Sequence, residues 1–113
     1  MQYIIRKRNR MLTLYLRYTF DPNKRTAYEA YVAAEMEPIT RSGGNIIGYF
    51  LPTDYAGPTN VAHGLIEFPS LANYEKYRHI LADDAAHKKN NAELESSGAI
   101  LSIVRSIVKR AGS

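Results

Sequence analysis

The imidazole of His63 falls in the middle of Val61-Ala-His-Gly-Leu-Ile-Glu-Phe68, a stretch with the two-residue alternation of a β-strand. An imidazole that titrates near neutral pH can take a proton from a substrate and return it, so His63 is the first candidate for a general base. Tyr15 and Tyr49 are the candidate hydrogen-bond donors beside it. Glu67 with Arg17 or Arg41 offers a way to fix a polar ligand group, because a guanidinium grips a carboxylate through two parallel N–H donors. Tyr55 and Asn60 sit in Pro52-Thr-Asp-Tyr-Ala-Gly-Pro-Thr-Asn60, a loop of the kind that carries function when a rigid scaffold holds it. Each feature has a plainer use. A strand histidine serves as a hydrogen-bonded structural residue or a dimer contact, the charges as a rim ion pair, the tyrosines as packing, and the loop as a fixed turn. His79 and His87 fall on a helix and in a polar segment, where solvent exposure is expected.

Several chemistries are excluded or disfavoured. The chain has no cysteine, hence no disulfide framework, thiolate metal site or cysteine nucleophile. No metal is expected: the three histidines lack close ligand spacing, and His63 and Glu67, four apart on a strand, are separated by about 13 Å. Gly43-Gly44 lacks the lysine and spacing of a phosphate loop, and there is no GxSxG elbow. A haem would need an axial histidine and an enlarged cavity, so no cofactor is expected.

The elements that position these residues follow from the pattern. Leu12, Leu14, Leu16, Tyr18 and Phe20 alternate with Thr13, Tyr15, Arg17 and Thr19, which predicts a half-buried strand. Asp21-Pro22 reads as the cap and first residue of a helix carrying Tyr28, Tyr31, Val32, Met36 and Ile39. Pro38 should kink it, and Ser42-Gly43-Gly44 should stop it with a left-handed glycine. A strand over residues 45–51, the loop, and the strand 61–68 follow. Ser70 caps a second helix with Leu71, Tyr74, Tyr77 and Leu81 on its apolar stripe. Residues 83–97 are polar and predict a short exposed helix plus a loop, and 99–108, rich in Ile and Val, a fourth strand.

The order βαββαβ predicts an α+β domain of ferredoxin-like topology over residues 11–110, with antiparallel strands ordered 4-1-3-2 and both helices on one face. The uncovered face would carry Thr13, Tyr15 and Arg17 beside His63, Leu65 and Glu67. That mixture is too apolar for water and too polar for a dry core, and a second copy packed across it would close a barrel with a partly polar interior. The partner expected is therefore the chain itself, as a homodimer, with a small-molecule ligand between the sheets. Of fifteen Lys and Arg, four (Arg6, Lys7, Arg8 and Arg10) lie in a basic extension over residues 1–10, leaving the domain neutral against eleven Asp and Glu. A nucleic-acid binder carries its basic face on the domain, so no nucleic acid is expected. No apolar run approaches the roughly 20 residues of a membrane span, and a soluble, cytoplasmic protein is expected.

Met11-Leu-Thr-Leu-Tyr-Leu-Arg-Tyr18, Glu37-Pro-Ile39, Arg41-Ser-Gly-Gly-Asn45, Gly48-Tyr-Phe-Leu-Pro-Thr-Asp-Tyr-Ala-Gly-Pro-Thr-Asn60, Gly64-Leu-Ile-Glu-Phe68 and Leu71-Ala-Asn-Tyr-Glu-Lys-Tyr-Arg78 together resemble a NIPSNAP domain of the bacterial type, over about residues 11–95. The resemblance implies a dimeric α/β barrel. That superfamily includes cofactor-free monooxygenases, isomerases, haem enzymes and members with no known reaction, so fold alone sets no activity. The tail from Gly98 to Ser113 departs from the acidic, arginine-rich last strand of the family. Two functions compete: a barrel pocket for a small, partly apolar molecule, as in a cofactor-free oxygenase or isomerase with His63 as base and Tyr15 or Tyr49 as donor, and a non-catalytic structural or interaction dimer whose interface those residues fill.

Overall fold

The computed structural model describes residues 11–112; the basic extension 1–10 lies outside them. Among the described residues the chain forms strands β1 (Leu12–Phe20), β2 (Asn45–Phe50), β3 (Val61–Phe68) and β4 (Ile100–Val108) and helices α1 (Arg25–Arg41), α2 (Leu71–Asp83) and α3 (Ala85–Ser97). The sheet is antiparallel in the order β2-β3-β1-β4, the α+β ferredoxin-like arrangement that the alternation and the crossover rule predict.

β1 alternates because it is central and covered on one face only. Leu14, Leu16, Tyr18 and Phe20 are buried under the helices together with Ala62, Ile66 and Phe68 of β3. Aromatic rings dominate this core: Phe20 stacks on Tyr28 with centroids 5.2 Å apart, and Phe68 packs against Tyr77 at 4.7 Å.

Helix ends follow local chemistry. The Asp21 carboxylate accepts from the Asn23 N–H, and a 3₁₀ turn, Pro22–Lys24, leads into α1. α1 runs three residues past Pro38 to Arg41. Gly43 then turns the chain at φ 109°, a conformation that costs glycine nothing. Ser70 caps α2 by accepting from the Asn73 N–H.

One expectation is overturned. The polar segment expected to be a short exposed helix plus a loop is a full helix, α3, capped by Asp84 and packed against α1. Its buried residues are Asn90 and Leu94, so a count of apolar residues understates its inward face. Asp84 accepts from the His87 N–H at 3.0 Å and meets the Arg41 guanidinium in a fork of 2.9 and 3.2 Å, tying α3 to the end of α1.

The Arg41 hydrogen bonds, aided by the His87 N–H, pull the Asp84 carboxyl down to about 2 from its ordinary value of 3.8. A depressed folded-state value stabilises above the unfolded value and the gain vanishes as pH falls through the folded one. Asp84→Ala should therefore melt below the wild type by a margin that is constant above about pH 5. That margin should shrink steadily toward pH 2, which thermal melts at a series of pH values would read.

Candidate functional site

The open face of the sheet brings together part of the expected constellation. His63 stands opposite Arg17, and the Tyr15 hydroxyl lies 2.8 Å from His63 Nδ1, with the two rings stacked at 5.7 Å. If Nδ1 carries the proton and donates to the tyrosine oxygen, Nε2 is left as an acceptor and the phenol O–H as a donor. Phe50 of β2 also pairs with His63, and it is half exposed. Glu67 pairs with Thr13 and Asn45 and accepts from the Asn45 amide at 3.4 Å. Arg17 and Glu67 thus sit four positions apart on neighbouring strands and do not meet.

Tyr49 is a correction. Regular pairing from Asn45 opposite Glu67 would set Tyr49 opposite His63, but the register shifts between Ile46 and Gly48. That one-residue bulge turns every following side chain over. Tyr49 therefore pairs with Gly64 and lies on the helix-covered face near Tyr18, at 6.4 Å between centroids. It cannot serve as donor beside His63. Arg41 likewise makes no ion pair with Glu67, being engaged with Asp84 and Glu37 at the helix surface. Asn60 fastens the loop to β1: its side chain donates to the Phe20 carbonyl at 3.1 Å and its own carbonyl accepts from the Phe20 N–H at 3.0 Å. Tyr55, at the loop tip, is 95% exposed and touches no other candidate.

The opposite side of the sheet holds what the sequence reading missed. An open-sided chamber of about 460 Å³ lies between α2, α3 and the inner side of β4. Tyr18, Tyr31, Tyr77, His87, Asn91 and Arg105 are among its walls, with Leu81, Leu94, Ile100 and Ile103 supplying apolar surface. Burial pushes the Tyr18, Tyr31 and Tyr77 phenols up, so at neutral pH they are uncharged O–H groups.

Behind one wall is a buried carboxylate. Glu35 of α1 is 1% exposed. It accepts from the Asn90 amide at 3.1 Å and the Tyr31 hydroxyl at 3.3 Å, and His87 Nδ1 lies 2.5 Å from it. His87, expected in solvent, is held instead by Glu35 on one nitrogen and by the Asn91 amide, 3.0 Å from Nε2, on the other. Among the described residues no group of three or more His, Asp and Glu is arranged to hold a metal ion, and no helix is long and apolar enough to cross a membrane.

A comparison with protein families matches residues 14–112 to NIPSNAP. The chain belongs to the NIPSNAP family. Solved NIPSNAP structures share its fold. A NIPSNAP family protein from Agrobacterium tumefaciens superposes with a TM-score of 0.79 at 24% identity, covering 92% of this chain and 89% of that one. A NIPSNAP-like domain protein from Burkholderia xenovorans does so with a TM-score of 0.74 at 22% identity, covering 93% and 90%. A Nitrosomonas europaea protein provisionally described as an antibiotic biosynthesis monooxygenase has a TM-score of 0.69 at 9% identity, covering 92% and 93%. At these identities the likeness is one of fold. No match was found among curated proteins.

In this NIPSNAP chain the signal for the missed site was present in α1. Tyr28, Val32, Glu35 and Ile39 recur at intervals of four, three and four, so Glu35 occupies a core position of the helix and is buried there. A carboxylate at such a position must find hydrogen-bond donors. His87 and Asn90, three apart on α3, supply them.

Proposed function

We propose that this NIPSNAP protein binds a small, partly apolar, ring-bearing molecule in the helix-side chamber and pairs with a second copy through its open sheet face. The chamber carries this reading. Its volume lies within the range of about 300–1,000 Å³ typical of ligand pockets, and its walls combine aromatic and aliphatic surface with a few polar groups. Such a site, with an imidazole on its wall, suits reactions in which a protein base first removes a substrate proton, as in a cofactor-free isomerase or monooxygenase. Fold similarity to a protein described as a monooxygenase is consistent with it.

The open face supports the pairing. Phe50, Val104 and Val108 are each 42–50% exposed, and Leu65 of the central strand β3 pairs with Tyr15 of β1. Tyr15 and His63 hydrogen-bond one another, which leaves His63 Nε2 and the phenol O–H of that pair for a second copy to meet. That internal bond also favours the second reading, in which this face is a structural dimer contact without chemistry. In the alternative use of the same pair, His63 acts as base and Tyr15 as donor on a molecule trapped between two sheets.

Calorimetric titration with 2-naphthol, a neutral aromatic probe, separates these uses. Ile103→Trp fills the chamber from the edge strand and should weaken binding by roughly tenfold or more, whereas His63→Ala on the other face should leave it unchanged. The reverse pattern would move the ligand to the open face, and absence of binding by the wild type would overturn the chamber reading. Light scattering tests the pairing. The wild type should run at twice the 12.8 kDa chain mass and Leu65→Lys at the single mass. A monomeric wild type would overturn it.

A further inference from the structure

We infer that Glu35 and His87 form a proton-transfer pair that enolises an aromatic carbonyl compound bearing an anionic group. The inference rests on the chamber being the ligand site, and it adds the reaction and the substrate class.

The geometry is that of an oriented imidazole. A carboxylate with 1% exposure faces His87 Nδ1, which fixes the proton on that nitrogen and leaves the Nε2 lone pair toward Asn91 on the chamber wall. Glu35 is itself anchored by Asn90 and Tyr31, so it cannot swing away from the ring. In the reaction a substrate C–H adjacent to a carbonyl displaces the Asn91 amide from Nε2. The C–H bond breaks, an N–H bond forms, and the electron pair moves onto the carbonyl oxygen. The imidazolium so formed is held by the Glu35 carboxylate and returns its proton to that oxygen as an enol. Atoms and electrons balance without an oxidant, a reductant or a metal. Glu35 is a positioning residue, because it acts through His87.

The substrate class follows from the other walls. Tyr18, Tyr31 and Tyr77 present ring surface that suits an aromatic group, and the neutral hydroxyls of Tyr18 and Tyr77 suit a developing enolate oxygen, the Tyr31 hydroxyl being given to Glu35. Arg105, placed on the inner side of β4 opposite Leu16, makes no ion pair among the described residues. Arg78 and Glu95 also line the chamber without an ion pair among the described residues, so its walls set two guanidinium groups against one carboxylate, a balance that favours an anion such as a carboxylate.

Phenylpyruvate has the three required parts: a ring, an acidic methylene beside a carbonyl, and a carboxylate. Loss of its methylene signal in D₂O, followed by NMR, reads proton abstraction. The wild type should accelerate exchange roughly hundredfold over the same concentration of imidazole. His87→Asn should fall to the imidazole background. Glu35→Gln should lower the saturated rate about tenfold with the dissociation constant unchanged, a split that a merely structural role would not give. Arg105→Met should raise the dissociation constant about tenfold. Full exchange in folded His87→Asn overturns the inference, as does phenylpyruvate binding without acceleration, and in both cases the chamber stands as a binding site. Binding of 2-naphthol without phenylpyruvate overturns the anionic substrate class. Failure of both to bind removes the chamber reading along with this one.

Discussion

Replacing Glu35 by alanine should lower the unfolding free energy by about 3 kcal/mol, a large share of the stability of a domain this size. The carboxylate is the common acceptor for Asn90 and Tyr31 and the partner of His87. Removing it leaves three polar groups facing an apolar gap between α1 and α3. The Glu35 side chain is 2% exposed against 18% for His87, so water can reach part of the histidine but not the space the carboxylate vacates. Urea denaturation followed by circular dichroism measures the loss as a shift in midpoint at constant slope. Glu35→Gln, which keeps one acceptor oxygen, should lose about half as much. The combined change of Glu35, His87 and Asn90 to leucine should recover most of the loss, because a buried polar network replaced as a whole by apolar groups carries no unpaired member. A loss below about 1 kcal/mol for Glu35→Ala would mean that the network is screened by solvent.

Gly64→Ala should cost about 2–3 kcal/mol, although it adds a single methyl group. A Cβ at this position would lie 2.7 Å from Cε1 of Tyr49 and 3.1 Å from its Cδ1, closer than carbon atoms approach without displacement. Tyr49 has little room to retreat, since its ring packs toward Tyr18 in the core and its hydroxyl is already buried without a hydrogen-bond partner. The measurement is again a denaturation curve, now in a double-mutant cycle. In a Tyr49→Ala background the glycine substitution should cost less than about half as much, because the ring it collides with is gone. Equal costs in the two backgrounds would place the strain elsewhere.

Both experiments bear on function. Glu35 holds the imidazole of the proposed proton-transfer pair, and Tyr49 under Gly64 backs the tyrosines that wall the chamber. Residues that set stability in this chain are the same ones that shape its cavity, so each variant should be checked for folding before its binding is interpreted.

The sequence by itself determined the architecture of the described chain. The strict alternation of β1 requires one covered and one open face, and the glycine and serine punctuation places the helix ends within a few residues. The crossover rule then leaves one strand order. Those features are local, or follow from short connections, and so are legible in a linear string. His63 and Tyr15 were also legible as neighbours, because adjacent antiparallel strands bring opposite and diagonal residues together whatever else the fold does.

Tertiary structure decided the rest. A bulge at Ile47, invisible to a reading that assumes regular pairing, moved Tyr49 from the open face to the core and put Phe50 in its place. The polar composition of α3 suggested exposure, but a helix is buried by the few residues on its inward stripe. Here those are His87, Asn90 and Leu94, the first two of which meet a carboxylate 52 and 55 positions earlier in the chain. The chamber arises from the way α2 and α3 stand over β4, a relation between elements distant in sequence. No periodicity encodes it: helix and strand patterns show which face of an element is apolar, while the space between packed elements depends on how far their side chains let them approach.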